Sequence, residues 1–253
     1  MTRMAFIMGG TSGIGLATAR LLIEAGAHVA IAGRNPDRGA NAARDLGGNA
    51  HYIQADASNA RDVAAAVDAV VSRAGRLDWA VNAAALADFR PAATADITDE
   101  EWNRTIAADL TGVWLSMKYE LQAMANSGRG SIVNVSSVNG LSATPLAAAY
   151  CAAKHALHGL SKTAALEYAG RGIRVNVVCP GAHLTPMLES VFEKMSPGAP
   201  AQAQAAYASR IPLGRIGDPV ECARAIVWLL SDAASYVTGS VLTVDGGLAL
   251  GSA

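Results

Sequence analysis

The sequence predicts an α/β fold: one open parallel sheet of about seven strands with helices on both faces. Short β-rich segments alternate with longer alanine-rich ones almost from end to end, the rhythm of strand–helix–strand units. A glycine-rich turn joins the first strand to the first helix, and glycines recur where helices should stop.

In chain order, the strand candidates are Met4 to Met8, His28 to Ala32, Ala50 to Gln54, Trp79 to Asn82, Ser131 to Ser136, Arg174 to Cys179 and Ser240 to Val244. Between them, Ile14 to Glu24, Asp37 to Leu46, Ala60 to Arg73, Asp99 to Met124, Ala147 to Tyr168 and Pro219 to Leu230 read as helices, with Gly26, Gly47, Gly75, Gly128 and Gly172 marking ends. From Thr185 to Pro212 the rhythm breaks, with four prolines and the run Ser196-Pro197-Gly198-Ala199-Pro200. That stretch is expected to be a loop with one or two short helices. It follows the C-terminus of a strand, where ligands collect in open α/β sheets, and is read as a substrate lid over residues 185–212.

A length of 253 residues with 51% hydrophobic content suits one α/β domain. The net charge of -1 and a charged fraction of 16% leave no basic field for a phosphate backbone, so nucleic acid is not an expected partner. No apolar run approaches a membrane span, and Met1-Thr2-Arg3 leads straight into the first strand without room for a cleavable signal. Cys151, Cys179 and Cys222 are neither paired like a disulfide framework nor spaced like zinc ligands. A reduced, cytoplasmic protein is expected. His155 and His158 lack a third ligand at suitable spacing, so no metal is expected.

The turn Gly9-Gly10-Thr11-Ser12-Gly13-Ile14-Gly15 sets backbone N–H groups and the positive end of a helix where a pyrophosphate can lie. Its spacing, Gly-x-x-x-Gly-x-Gly, departs from the Gly-x-Gly-x-x-Gly fingerprint. At the end of the second strand stands Gly33-Arg34, with no acid at the competing position. A carboxylate there would bond the ribose hydroxyl of NAD, whereas a guanidinium suits the 2′-phosphate of NADP. NADP(H) is therefore favoured over NAD(H). Tyr150 and Lys154 stand four residues apart, on one helix face. An adjacent ammonium favours phenolate over phenol, which would make Tyr150 a base nearer neutral pH than a free tyrosine.

From Met4 to about Leu250 the chain resembles the classical short-chain dehydrogenase/reductase family. The resemblance is carried by the glycine turn, Asp56 after the third strand, Val81-Asn82-Ala83-Ala84, Ser136-Ser137, Tyr150-x-x-x-Lys154, Pro180-Gly181 and Val244-Asp245-Gly246-Gly247, all in family order. It implies a single-domain, Rossmann-type doubly wound sheet binding a dinucleotide and reducing ketones or oxidising secondary alcohols. Tyr150 would exchange a proton with the substrate oxygen, Ser137 would bond that oxygen, and Lys154 would orient the nicotinamide ribose and tune Tyr150. Gly9, Thr11, Ser12, Gly13, Ile14 and Gly15 would hold the phosphates. Asp56 and Ala57 would meet the adenine, Asn82, Ala83 and Ala84 the ribose side, and Pro180, Gly181, His183 and Thr185 the carboxamide.

Two motifs depart from the pattern. The family's fourth catalytic position, an asparagine before Leu-x-Gly, is Asp109, and an ionised carboxylate cannot donate a hydrogen bond. If that position serves as a helix kink with a free carbonyl, Asp109 suffices; if an amide N–H is needed, the site is weakened. The usual Asn-Asn-Ala-Gly is Asn82-Ala83-Ala84-Ala85. A small alcohol or ketone is the expected partner, in a pocket lined by residues 86–89, 139–144, His183, Met187, Leu188, Val191 and Phe192. A homotetramer is implied by the resemblance. The alternative reading is a dinucleotide-sensing protein that kept the fold and lost the chemistry.

Overall fold

A computed structural model describes residues 2–86 and 90–250. Its seven strands are β1 (Met4–Met8), β2 (His28–Gly33), β3 (Ala50–Gln54), β4 (Trp79–Asn82), β5 (Gly130–Val135), β6 (Ile173–Pro180) and β7 (Val241–Val244). They form one sheet in the order 3-2-1-4-5-6-7, every pair parallel. Parallel strands need crossover connections, and the alanine-rich segments supply them. The helices are α1 (Gly13–Glu24), α2 (Pro36–Leu46), α3 (Ala60–Ala74), α4 (Asp99–Ile106), α5 (Gly112–Ser127), α6 (Ala148–Tyr168), α7 (Pro186–Met195), α8 (Pro200–Ala208) and α9 (Pro219–Leu230). Gly26, Gly47, Gly75, Gly128 and Gly172 all take positive φ beyond a helix end, a conformation closed to most side chains.

The core has two layers because successive strand residues face opposite sides of the sheet. Met4, Phe6 and Met8 of β1 join one layer with residues of α3 and α5 such as Val67 and Leu121. Ala5 and Ile7 join the other with Leu22 of α1 and Ile226 of α9. Burying Phe6 completely contributes about 1.5–3 kcal/mol. The alanines let the helices lie close to the sheet, and one glycine is indispensable for this. A Cβ on Gly39 of α2 would stand 2.1 Å from the Tyr52 ring on β3.

The strand order reverses between β1 and its neighbour β4, which opens a crevice at their C-terminal ends. The glycine turn follows β1 and Asn82–Ala84 follows β4, so the topology brings these distant segments to one edge. The stretch expected as a loop with short helices holds two, α7 and α8. The expected helix from Asp99 to Met124 is instead broken: α4 ends at Ile106, a π-helical turn spans Ala107–Thr111, and α5 begins at Gly112.

Candidate active site

The glycine turn is shaped by close backbone packing. A Cβ on Gly9 would lie 2.4 Å from the Ala84 nitrogen, and one on Gly15 2.3 Å from the Gly9 carbonyl. Only glycine fits at either place. Ser12 precedes α1 in an extended conformation without a side-chain cap bond, leaving the first-turn N–H groups to whatever lies in the crevice. By contrast α2, α3, α4, α7 and α9 are capped by Asn35, Asn59, Thr98, Thr185 and Asp218. An uncapped helix end facing a crevice is an anion cradle. Gly13, at φ 53, has the Thr185 Cγ2 3.1 Å from where its Cβ would sit, so the start of α7 touches the turn.

Beyond the C-terminal ends of β2 and β3, a cavity of about 660 Å³ is lined by Arg34, Gln54, Asp56, Arg61 and Asp62. Arg34 is exposed, and its guanidinium pairs with no carboxylate among the described residues. A Cβ on Gly33 would stand 3.0 Å from the Thr11 side chain, which binds the glycine turn closely to the end of β2. Asp56 is shaped by its neighbours, accepting from the Ser58 nitrogen at 2.9 Å and its hydroxyl at 2.7 Å. Ala57 is buried where Gly112 passes it.

On the other side of the crevice, Pro180-Gly181 and the Asp245-Gly246-Gly247 turn lock together. The Gly181 nitrogen donates to the Val244 carbonyl, and a Cβ on Gly181 would come within 2.6 Å of the Asp245 Cβ. Asp245 in turn accepts from the nitrogens of Gly247 and Ala249 at 2.9 and 2.7 Å. His183 is buried against Gly217, with Nδ1 3.4 Å from the Gly181 carbonyl, and burial pushes its pKa down. The uncapped helix, the cradle that side chains would fill and the unpaired Arg34 together fit a nicotinamide dinucleotide.

Lys154 and Tyr150 share a face of α6, with Nζ 5.4 Å from the phenol ring centre. Ser137, leaving β5, accepts from the Asn139 nitrogen at 3.1 Å, a local turn that fixes its hydroxyl beside Tyr150. Burial raises the Tyr150 pKa, while Lys154 and a hydrogen bond from Ser137 pull it down and Asp109 pushes it up. Lys154 is 1% exposed and Asp109 0%, and they form an ion pair at 3.2 Å. Nζ also lies 3.5 Å from the Val135 carbonyl. Burial works against the Lys154 ammonium, yet Asp109 and Tyr150 carry its pKa above the ordinary value. Asp109 sits within the π turn, and its Oδ2 accepts from the Leu86 nitrogen at 3.4 Å. The structure thus brings Ser137, Tyr150, Lys154 and Asp109 together beside the cradle.

Some expectations take a different form. The Asn82 side chain points into the protein, donating to Glu120 Oε2 and Asn134 Oδ1, both at 2.9 Å. Only its backbone is left for the crevice. Phe192, expected in the pocket lining, is buried and packs edge-on against Tyr207 with ring centres 5.9 Å apart. It joins α7 to α8. Residues 87–89 of the expected lining lie outside the described residues. His158 bonds the Ser136 hydroxyl at 2.9 Å, and among the described residues no three His, Cys, Asp or Glu side chains are gathered to hold a metal ion. No described helix is long and apolar enough to cross a membrane. Sequence reasoning missed the buried group Glu120, Asn134 and Ser161 behind Asn82. The one signal was an asparagine in each of two apolar strands.

Known proteins resemble the chain throughout. A family model described as Enoyl-(Acyl carrier protein) reductase matches residues 9–249. A 2,5-dichloro-2,5-cyclohexadiene-1,4-diol dehydrogenase of Sphingobium indicum is 42% identical, over 95% of this chain and 94% of its own. A cis-4-hydroxycyclohexanecarboxylate dehydrogenase of Sinomonas cyclohexanicum is also 42% identical, over 97% and 96%. The crystal structure of a variant actinorhodin polyketide ketoreductase with NADPH superposes with a TM-score of 0.93 at 36% identity, covering 98% of this chain and 97% of that one. With matches of this extent on a sheet of this order, the chain belongs to the short-chain dehydrogenase/reductase family.

Proposed function

We propose that this protein interconverts a ring-borne secondary alcohol and its ketone, with NADP(H) preferred over NAD(H). The observation that carries the reading is the Ser137–Tyr150–Lys154 group standing beside an uncapped, glycine-lined helix end. Bound in the crevice, the nicotinamide supplies or takes up the hydride. In oxidation, Tyr150 as phenolate takes the proton of the substrate hydroxyl while the carbon loses hydride. In reduction, Tyr150 as phenol gives that proton to the carbonyl oxygen. Ser137 bonds the same oxygen, and Lys154 orients the cofactor ribose and biases Tyr150 towards phenolate. Residues 185–212 act as the lid over one catalytic and dinucleotide-binding unit.

Alicyclic substrates are favoured because two relatives at 42% identity are named for hydroxyls on six-membered rings. NADP(H) is favoured by the unpaired Arg34 and by Gly33, where an acidic side chain would press on Thr11. The test is to titrate the protein with NADPH and NADH and add a cyclohexanone series, and to add a cyclohexanol series with NADP+ and NAD+. Turnover with NADPH preferred, and loss of that preference in Arg34→Ala, is expected. Tyr150→Phe should lower kcat by ~10²–10⁴-fold while sparing cofactor binding, and an unchanged kcat would refute the assignment. Cofactor binding without turnover on any ketone would favour the sensing role.

A further inference from the structure

We propose that Asp109 is the counter-ion of Lys154 and a positioning residue that holds Tyr150 in its phenol form at neutral pH. The inference rests on the reading of Tyr150 as the proton-exchanging group. Its basis is geometric: a fully buried carboxylate lies 3.2 Å from a fully buried ammonium, at a position where the family pattern has a neutral amide. Two opposite charges this close, shielded from water, act on a third group nearly as a dipole, so much of the cation's pull on Tyr150 is cancelled. The π turn contributes by carrying Asp109 inward, and the Leu86 nitrogen fixes the second carboxylate oxygen.

Other charged and titratable groups in this region do not substitute for that pair. Cys151 and His158 lie on α6, Cys179 on β6, and Asp245 follows β7. Burial holds the Cys179 thiol up at about 11, and burial pushes His158 down, so both are neutral through the neutral range. Asp245 is tied to two backbone nitrogens. The charge balance at Tyr150 therefore depends on Lys154 and Asp109, and burial and Asp109 both act in the direction of phenol. The consequence is a directional bias: ketone reduction, which needs the phenol, runs at neutral pH, and alcohol oxidation, which needs the phenolate, strengthens only as pH rises.

The test is Asp109→Asn, which removes the charge and keeps the shape. Measured as kcat/KM for alcohol oxidation against pH, its midpoint is expected to fall by about one unit or more, with oxidation at neutral pH rising about tenfold. A second readout needs no cofactor: the ultraviolet phenolate difference between the protein and its Tyr150→Phe form, titrated with and without Asp109→Asn, should move by the same amount. If the asparagine variant does not fold, Asp109→Ser removes the same charge with a smaller side chain. Unmoved midpoints in both measurements would overturn the counter-ion role. Full turnover in Tyr150→Phe would instead overturn the site reading, and the phenolate titration would still report on the pair.

Discussion

Glu120 is the residue that most visibly costs this fold stability. It is completely buried on α5, with Oε2 accepting from Asn82 and no partner for Oε1 among the described residues. Burial lifts its pKa from 4.5 to about 8, and the Asn82 hydrogen bond offsets only part of that. The folded protein therefore keeps a proton that the unfolded chain releases above pH 4.5. Stability falls as pH rises through the interval from 4.5 to about 8 and levels off above it. By neutral pH the loss is on the order of a few kcal/mol. Glu120→Gln keeps the shape and the acceptor but never ionises. Thermal melts should show the variant more stable than the parent at pH 8, with the two converging towards pH 4.5. A difference that does not change with pH would mean that Glu120 is ionised, or already accommodated, in the fold.

At the level of elements, Arg174 ties β6 to the end of α9. Its Nη1 donates to the carbonyls of Leu229 and Val237 at 2.7 and 3.2 Å, and Nη2 to those of Leu230 and Ser231 at 3.1 and 3.0 Å. These include carbonyls that a helix C-terminus leaves without partners, and a cation there also complements the helix dipole. Arg174→Ala would strand several acceptors at once, at about 2–4 kcal/mol, lowering Tm by roughly 5–10 °C for a chain of this size. Calorimetry that finds the variant within a degree of the parent would show that water replaces the guanidinium. Elements of this kind were legible in the sequence wherever one local pattern fixes them. The seven strands end within a residue of their expected limits, because apolar runs bounded by glycine and polar turns leave little choice of boundary. The π turn was not legible in the apolar pattern, which reads as continuous from Asp99 to Met124; only the family resemblance raised a kink at Asp109. Likewise Tyr150 and Lys154 could be paired from their spacing alone. The Lys154–Asp109 contact could not, since it needs the packing of α6 against the broken helix. The Asn82–Asn134 bond depends on β4 and β5 aligning those two residues, a register that neither strand encodes by itself.

On the scale of the whole molecule, the surface exposes several large apolar side chains. Trp102 and Trp114 on α4 and α5 are exposed, as is Leu166 on α6. Trp228 on α9, Tyr236 and Leu250 are exposed as well, in the segments before and after β7. Exposed apolar side chains on two sets of elements suit an assembly with two kinds of symmetric contact. A homotetramer is the expected product, since two different two-fold contacts close a set of four. Light scattering should therefore give four times the 25.9-kDa chain mass. Leu166→Asp places a charge in the contact made by α6 without disturbing the core, because that side chain is exposed in the single chain. It should reduce the assembly to pairs held by the contact around β7. A monomer in the unaltered protein would leave these exposed side chains without a partner copy, and a tetramer that survives Leu166→Asp would move the contact off the exposed face of α6.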